Sequence, residues 1–147
     1  MLRNHGIKNI NRIIDANINR AKEGLRVCEE VTRFILNSPQ LSLALKEIRH
    51  RIDRATKHLP AKINLIRYRN SDKDIGKTIY AGELKRKDYA DIFFANMQRA
   101  QESIRVLEEF SKLLDINTAV GFKKIRYNIY EIEKKAAKRL PSLRNPR

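Results

Sequence analysis

Apolar side chains recur every three or four residues over most of the chain, the interval that places them on one face of an α-helix. In the first such segment this face includes Ile14, Ala21, Cys28 and Ile35. The pattern predicts helices over residues 12–36, 40–58, 88–115 and 119–139, one or two further helical turns within 61–68, a non-helical loop over 69–87 and a basic tail over 141–147.

Cap and breaker residues separate the predicted helices. Asn9 or Asn11 is predicted to cap the first helix and Asn117 or Thr118 the fourth, because short polar side chains accept hydrogen bonds from the first backbone N–H groups. The Asn-Ser-Pro sequence at 37–39 is predicted to end the first helix. Only 5 Gly and 4 Pro in the whole chain favour a few long helices over a sheet of many strands.

The chain contains an internal repeat. Residues 16–30 align with residues 95–109 at a constant offset of 79, and 9 of these 15 positions are identical. Apolar positions such as 18/97, 25/104 and 28/107 vary within their type, as packing positions do, whereas Asn17, both Arg and all three Glu return as the same residue. A second match, at an offset of 77, joins residues 46–52 to residues 123–129. The repeat therefore indicates duplicated chemistry as well as a duplicated fold.

Each copy of the repeat spans two predicted helices. We predict an all-α fold, a helical bundle of two duplicated helical hairpins (about residues 9–58 and 88–139) with a connecting loop. The length of 147 residues suits a single domain over residues 1–147 with a sizeable core. The loop at 69–87 has no counterpart in either copy, so we expect it to carry a function of its own.

Composition and charge narrow the class of protein. The formal net charge of +15 indicates anionic partners, although many lysines of such a chain serve simply as solvated surface. The single cysteine, Cys28, excludes an internal disulfide, and its apolar helical neighbours indicate a buried structural thiol. The chain has no apolar run long enough for a membrane span and no apolar signal-peptide core at its N-terminus, so a cytoplasmic location is expected.

Polar residues of the repeat lie on or beside the apolar helical face. Asn17 projects into that face, Arg20 lies next to its centre, and Glu23 and Arg26 follow on the adjoining flank. The second copy holds the equivalent residues Asn96, Arg99, Glu102 and Arg105. One interpretation is a buried polar network that fixes the register of the bundle. The other is a pocket in which the arginines hold anionic oxygens while the glutamates orient them or bind a metal.

The later glutamates of the repeat are expected to act differently. Glu29 and Glu108 point away from the apolar side of their helices. The polar side of an amphipathic helix normally faces water. We therefore predict that both carboxylates are solvated and contribute only to solubility.

The loop adds groups that suit a metal–phosphate site. Asp72 and Asp74 are candidates to hold Mg²⁺, which usually takes one or two carboxylates together with substrate phosphate oxygens. Gly76 allows close approach of the backbone, and Ser71 offers a hydroxyl group. Arg49 lies on a helix that we expect to face this region. Many turns have a similar composition, so the loop by itself is not specific.

Three segments together carry a resemblance to a known family. They are residues 12–27 (Arg-Ile-Ile-Asp-Ala-Asn-x-Asn-Arg-Ala-x-Glu-Gly-Leu-Arg-Val), 48–51 (Ile-Arg-His-Arg) and 69–76 (Arg-x-Ser-x-x-Asp-Ile-Gly). The chain closely resembles the monofunctional hydroxymethylpyrimidine-phosphate kinases, a helical domain often fused to the N-terminus of thiamine-phosphate synthase in bacteria. The similarity covers nearly the whole chain, which is expected to be the stand-alone form. Two positions depart from the family pattern, with Asn70 in place of Asp and Lys77 in place of Thr.

The resemblance implies phosphorylation of hydroxymethylpyrimidine phosphate to the diphosphate in thiamine biosynthesis, with ATP as phosphoryl donor and Mg²⁺ as cofactor. The partners are then phosphorylated pyrimidine and nucleotide small molecules. Under this hypothesis Arg20, Arg99 and Asp74 are the predicted catalytic residues. Asp74, with Glu23 or Glu102, is predicted to position the metal. The residues predicted to bind substrate and phosphate are Asn17, Arg26, Arg49, Arg69, Ser71, Gly76, Asn96 and Arg105.

Two other functions stay open at this point. A basic helical nucleic-acid-binding module accounts for the net charge, but glutamates kept in both copies of the repeat would repel phosphate, which disfavours nucleic acid as a partner. A non-catalytic partner of a separately encoded thiamine-phosphate synthase is the other alternative. The sequence is compatible with a homodimer, and no membrane partner is expected.

Overall fold

The computed structural model describes residues 4–59 and 62–140, and this part of the chain contains helices and no strand. The all-α prediction is therefore confirmed. The α-helices are α1 (Asn4–Glu30), α2 (Pro39–Ala55), α3 (Lys62–Ile66), α4 (Tyr89–Ser111) and α5 (Ile116–Ala137). Helices α1 and α2 form the hairpin of the first repeat, and α4 and α5 form that of the second. No helix within the described ranges is long and apolar enough to span a lipid bilayer.

The connection between the repeats is largely irregular, as predicted. After α3 it contains two short 3₁₀ turns, Ile75–Lys77 and Ala81–Leu84, and most of its side chains are exposed. Residues 60 and 61 lie outside the described residues, and 61 is the first residue of the segment 61–68 that was predicted to hold extra helical turns. The predicted basic tail at 141–147 also lies outside them.

The first helix begins earlier than the sequence pattern predicted. Because α1 starts at Asn4, both Asn9 and Asn11 lie inside the helix and neither caps it. Ile7 and Ile10 continue the apolar face towards the N-terminus, and Ile10 belongs to the buried core. Burial of a whole isoleucine side chain is worth about 1.5–3 kcal/mol, which outweighs the low helix propensity of one asparagine, about 0.7 kcal/mol.

The break between α1 and α2 lies where it was predicted. Residues Val31–Ile35 form a π-helical turn, and Asn37 takes a left-handed backbone conformation with φ of 49°. Asparagine tolerates this conformation better than most residues. Ser38 then caps α2 by accepting a hydrogen bond from the N–H of Leu41 at 3.2 Å, and Pro39 begins the helix.

The cap of α5 differs from the predicted one. Asp115, not Asn117 or Thr118, is the N-cap, and its carboxylate accepts a hydrogen bond from the N–H of Thr118 at 3.0 Å. Hydrogen bonds from Thr118 hold the pKa of Asp115 below its usual range. A carboxylate is preferred at this end of a helix because the backbone dipoles place positive charge there. With the offset of 77, Asp115 is the counterpart of Ser38, so both repeats cap their second helix at the same place.

The four long helices form a bundle in which α1 packs against α2 and α4, and α5 packs against the other sides of α2 and α4. Helices α1 and α4 are antiparallel, since Gly24 lies against Ala100 whereas Cys28, further along α1, donates its S–H to the carbonyl of Phe93 at 3.3 Å. Cys28 is fully buried, as predicted. Burial, with the nearby charge of Glu133, raises the pKa of its thiol, so the group stays protonated and unreactive.

Gly24 is expected to be required for the close approach of α1 and α4. A Cβ atom at this position would lie 2.9 Å from the backbone carbonyl oxygen of Asn96 and 3.6 Å from the Cβ of Ala100. Since neither neighbour is a flexible side chain, Gly24→Ala is expected to lower the free energy of unfolding by about 1–3 kcal/mol. Urea denaturation followed by circular dichroism measures this change.

Gly121→Ala is the matched control for that substitution. Gly121 also lies inside a helix, but a Cβ atom there would meet only the Cβ of Ala55, at 4.0 Å. This variant is expected to be neutral or to gain up to about 1 kcal/mol, because alanine favours helix more than glycine does. Equal destabilisation at the two positions would contradict the close contact at Gly24.

Candidate functional site

Two buried ion pairs occupy equivalent positions in the two repeats. In the first, Arg49 of α2 donates to both carboxylate oxygens of Glu29 on α1, at 3.1 and 3.0 Å. In the second, Arg126 of α5 donates to Glu108 of α4 at 3.1 Å. The side chains of these glutamates are only 6% and 5% exposed. The prediction that Glu29 and Glu108 are solvated is therefore wrong.

The arginines around these glutamates are held by protein carboxylates. Besides the pair of Arg49, Arg26 lies 3.3 Å from Glu29, and in the second repeat Arg105 lies 3.1 Å from Glu108. All three arginines were predicted to bind phosphate. Arg49 pairs across helices, joining α2 to α1, whereas Arg26 and Arg105 pair within their own helices, and none of the three lines the cleft between α1 and the loop.

The asparagines of the repeat bond to their own helices. Asn17 donates its amide to the carbonyl of Ile13 at 2.9 Å, and Asn96 donates to that of Ile92 at 2.8 Å. Asn17 is only 5% exposed. Since a buried amide needs a partner, these bonds favour the interpretation of the asparagines as part of a buried network.

The loop returns to α1 and is attached there by two arginines. Arg69 forms a two-point ion pair with Asp15, and both N–O distances are 2.8 Å. Hydrogen bonding to Asp15 and the charge of that carboxylate raise the pKa of Arg69. Arg12 donates to the backbone carbonyl of Asn70 at 3.2 Å. The loop is thereby held against the first repeat.

A cleft of about 300 Å³ lies between α1 and the loop, and we call it the loop cleft. It is lined by Arg12, Asp15, Ala16, Asn19, Arg20 and Glu23 of α1 and by Arg69, Asn70, Ser71 and Asp74 of the loop. An adjoining hollow of about 410 Å³ extends it towards Ile13, Asn17, Lys73 and Ile75. The predicted site residues Arg20, Glu23, Arg69, Ser71 and Asp74 thus meet in one cleft, with Asn17 in the adjoining hollow.

The loop cleft holds charged groups that remain available to a ligand. Arg20 and Glu23 are exposed, and neither forms a hydrogen bond or ion pair with any described residue. Asp74 uses one carboxylate oxygen to accept a hydrogen bond from the N–H of Gly76 at 2.8 Å, which leaves its second oxygen available. The same bond occupies the N–H of Gly76, which was predicted to contact phosphate. The cleft therefore presents cations and carboxylates together.

The second-repeat candidates do not line the loop cleft. Arg99 and Glu102 lie exposed on α4, the counterparts of Arg20 and Glu23 on α1. Across the described ranges, no three His, Cys, Asp or Glu side chains converge as metal ligands. The predicted magnesium ligands Asp74, Glu23 and Glu102 therefore do not form a single cluster, although Asp74 and Glu23 share the cleft.

Three residues of the cleft, Arg12, Asp15 and Asn19, were not predicted as site residues. Together with Glu23 they follow one another at intervals of three or four residues, which is the spacing of one helical flank. That spacing was readable in the sequence. The partner of Asp15 was not, because Arg69 is 54 residues away and on a segment without periodicity.

Arg69→Ala is expected to release the loop from α1. Losing the two-point pair with Asp15 removes the main attachment of the loop, so exchange of the hydrogen-bonded amides of Asp74 and Gly76 should become at least about 10-fold faster, which corresponds to about 1.4 kcal/mol. The melting temperature is also expected to fall, because the Asp15 side chain is only 8% exposed and loses its ion-pair partner.

Hydrogen exchange measured by mass spectrometry tests the release of the loop in Arg69→Ala, and Asp53→Asn is the control. Asp53 forms an ion pair of similar length, 2.7 Å, with Lys22 of α1, but neither residue lines the loop cleft. Unchanged exchange in Arg69→Ala, or equal acceleration in Asp53→Asn, would contradict the attachment.

The fold and the loop cleft define a class of protein. It is an all-α bundle of two duplicated hairpins, with one cleft that is lined by arginines and carboxylates and bordered by a single loop. Residues 12–135 match the model of the ThiD2 family, so the chain belongs to that family. The family match covers both hairpins and the loop between them. No solved structure matches the chain.

Proteins named thiamine-phosphate synthase are similar to this chain. That of Nostoc punctiforme is 41% identical over 123 residues, covering 83% of this chain and 34% of that protein. The Synechocystis protein is 38% identical over 125 residues (84% and 35%), and the Rhodopirellula baltica protein is 40% identical over 131 residues (86% and 35%). The chain therefore spans about a third of the length of the curated relatives it matches.

Proposed function

We propose that this chain is a phosphotransferase of thiamine biosynthesis that converts hydroxymethylpyrimidine phosphate into the diphosphate with ATP as phosphoryl donor. Membership in the ThiD2 family and similarity to proteins named thiamine-phosphate synthase support the pathway. The resemblance of residues 12–27, 48–51 and 69–76 to the pyrimidine-phosphate kinases supports the reaction.

The observation that carries the proposal is the combination of available cations and carboxylates in the loop cleft. Arg12 and Arg20 have no carboxylate partner among the residues described, and a planar guanidinium can bind two phosphate oxygens at once. Glu23 and Asp74 line the same cleft. Mg²⁺ is typically held by one or two carboxylates plus substrate phosphate oxygens, so this donor set fits a magnesium–phosphate complex.

The residues of the loop cleft have different roles in the proposed phosphoryl transfer. This reaction depends mostly on positioning and on neutralising charge, so a strong base is not required. Arg20 and Arg12 bind the phosphate oxygens, and Glu23 with Asp74 would hold Mg²⁺, which would supply neutralisation of the phosphate charge. Arg69 is a positioning residue, because its pair with Asp15 fixes the loop that carries Asp74. The hollow beside the cleft leaves space for the rest of a phosphorylated ligand.

A second candidate function follows from the relatives. They are named thiamine-phosphate synthase, and this chain matches only about a third of each. A non-catalytic, ligand-binding partner of such a synthase would use the same cleft to hold a phosphorylated molecule without transferring a phosphoryl group. A nucleic-acid-binding function is disfavoured, because carboxylates line the cleft beside the arginines.

The test is turnover by the purified chain. With Mg²⁺, ATP and hydroxymethylpyrimidine phosphate, the expected products are ADP and the pyrimidine diphosphate, both followed by phosphorus NMR. Removing Mg²⁺ with EDTA is expected to stop the reaction, and omitting the pyrimidine is expected to leave ATP intact. If no diphosphate forms, the kinase proposal is wrong. Capture of a thiamine-phosphate synthase without turnover would then favour the partner function.

A further inference from the structure

Helix α5 carries two apolar stripes, and only one of them faces the core. The inner stripe contains Phe122, Ile125 and Ile129, which are buried. The other stripe faces solvent along about five helical turns, and its apolar and aromatic side chains are between 39% and 69% exposed. We call it the outer stripe, and it consists of Ile116, Val120, Lys123, Tyr127, Tyr130 and Lys134.

The spacing of the outer stripe is that of a contact between two helices. Its members follow one another at intervals of four and three residues in strict alternation. This alternation keeps successive side chains facing one partner helix, as in coiled coils. A single exposed apolar residue is ordinary on a protein surface, whereas an ordered row of them marks an interaction surface. The outer stripe therefore has the pattern of a helix-docking face.

The first repeat shows that packing of a hairpin does not require this stripe. At the offset of 77, the counterpart of Tyr127 is the exposed His50 of α2. The counterpart of Tyr130 is Asp53, which forms an ion pair with Lys22. Helix α2 has the same place in its hairpin as α5 has in the second. The tyrosines thus serve something other than the fold of the hairpin.

The aromatic part of the outer stripe is held in place before any partner binds. Arg126 donates to the hydroxyl oxygen of Tyr130 at 3.3 Å, and its guanidinium lies 5.3 Å from the centre of the Tyr127 ring. The two rings meet edge to face, with centres 6.0 Å apart. Side chains that are already ordered lose little conformational freedom on association.

Hollows at the two ends of the stripe leave room for side chains of a partner helix. One hollow, of about 420 Å³, lies beside Ile116 and Val120, between α5 and the end of α4. The other, of about 540 Å³, lies beside Tyr130 and Lys134. A partner that fills one hollow with a large side chain and the other with a small one fits this surface.

We propose that the outer stripe is the interface of a homodimer, in which the α5 helices of two copies pack antiparallel about a two-fold axis at the level of Ile125. In such an interface each contact occurs twice, because residue i of one copy meets residue j of the other and j meets i. The ring of Tyr130 then faces the hollow beside Val120 of the other copy. The opposed pairs, each equally distant from residue 125, are Ile116 with Lys134, Val120 with Tyr130, and Lys123 with Tyr127.

The lysines of the stripe favour this orientation. In a parallel pair of helices Lys123 would face Lys123 and Lys134 would face Lys134, and like charges in contact repel. Antiparallel pairing instead places the ammonium group of Lys123 over the ring of Tyr127, a cation–π contact that forms twice in the dimer. The aliphatic stem of Lys134 meanwhile covers Ile116.

The charges beside the stripe are also complementary to a second copy. Lys124 and Glu131 are exposed on the same flank of α5, and neither forms an ion pair within the described ranges. About the proposed axis, Lys124 of one copy lies roughly 8 Å along the helix from Glu131 of the other, within reach of both side chains. Such flanking pairs set the partner and the orientation of packed helices.

Sedimentation velocity of the full chain tests the dimer. The mass is expected to rise from monomer to dimer between low micromolar concentration and about 300 µM, because one helix face gives a weak interface. Self-association is expected to tighten as salt is raised, since each copy carries a formal net charge of +15 and screening reduces the repulsion between copies.

Two outcomes of this measurement would overturn the proposal. A chain that stays monomeric over the whole range would leave the outer stripe to a different protein. A dimer that is lost at high salt would indicate two copies bridged by a polynucleotide, because binding to nucleic acid weakens steeply with salt.

Tyr127→Lys is expected to weaken dimerisation about 10-fold or more, because it removes the ring and places two lysines opposite each other. His50→Lys on α2 is the matched control, since it makes the same substitution at the counterpart position, and it is expected to leave dimerisation unchanged. Neither residue lines the loop cleft, so turnover is expected to be the same in both variants. Equal weakening by the two substitutions would contradict an interface on α5.

Charge reversal on the flank tests the antiparallel pairing itself. Lys124→Glu and Glu131→Lys are each expected to weaken dimerisation about 5-fold, because each places like charges together on both sides of the axis. An equal mixture of the two variants is expected to form a heterodimer about as tight as the unmodified homodimer, since opposite charges then meet again. If the mixture associates no better than either variant alone, the pairing about Ile125 is wrong.

Discussion

Arg49→Ala is expected to lower the free energy of unfolding by about 3 kcal/mol, because it leaves the buried carboxylate of Glu29 without its main partner. The Arg49 side chain is 15% exposed and that of Glu29 is 6% exposed, so water cannot replace the lost hydrogen bonds. Arg126→Ala is expected to have a similar effect through Glu108 in the second repeat. Urea unfolding curves with fitted midpoints and slopes measure both changes.

Arg54→Ala is the matched control on the same helix. Arg54 pairs with Glu47 on the exposed surface of α2, and surface pairs contribute little to stability. A double variant, Glu29→Gln with Arg49→Met, is expected to recover part of the loss, since no unpaired charge is then buried. If Arg49→Ala and Arg54→Ala lower the urea midpoint equally, the buried Arg49–Glu29 ion pair contributes no more to stability than the exposed Arg54–Glu47 pair.

Arg20→Ala is expected to reduce kcat/KM for diphosphate formation by about 100-fold or more. A charge-assisted hydrogen bond to phosphate is worth about 1.5–3 kcal/mol, and a guanidinium that binds the transferred group acts in the transition state as well as in the bound state. Arg20→Lys keeps the charge but loses the planar fork, so it is expected to recover only part of the rate. Stability should be unchanged, because Arg20 forms no ion pair with the described residues.

Arg99→Ala supplies the control from the other repeat. Arg99 is the sequence counterpart of Arg20 but does not line the loop cleft. Its removal is therefore expected to reduce kcat/KM far less than removal of Arg20. Equal losses in the two variants would favour a site built from both repeats, and full activity of Arg20→Ala would exclude the loop cleft as the reaction site.

The helices were predictable because their causes are local. The apolar spacing and the Asn-Ser-Pro break at 37–39 each depend on residues within a few turns of one another. The repeat is found by comparing two segments of the sequence and needs no knowledge of their contacts. The errors at helix starts, at Asn4 and at Asp115, arose where burial or a stronger cap outweighed a plausible local signal. At Asn4 the competition is decided by burial of Ile10 against other helices, whereas the cap by Asp115 is local to α5.

Whether each repeated polar residue is buried or exposed depends on contacts with more than one neighbouring helix. A helical wheel shows one apolar face, but α1 packs against α2 as well as α4, and Glu29 lies on the side that meets Arg49 of α2. Arg20 and Arg99 occupy the same place in the repeat, yet only Arg20 lies beside the loop. The loop breaks the symmetry of the bundle because Arg69 attaches it to Asp15, whose counterpart in the second repeat is Phe94.

By itself, the sequence determined the all-α class, the duplication, the helix order and the buried thiol, since periodicity and composition act through short-range geometry and hydrophobic burial. Only the tertiary structure decided which charged residues are buried in pairs and which line a cleft. These differences depend on contacts between side chains that are far apart in the sequence. Glu29 contacts Arg49, 20 residues away, and Asp15 contacts Arg69, 54 residues away. Ion pairing requires that contact, and contact across the chain is set by packing of the whole bundle.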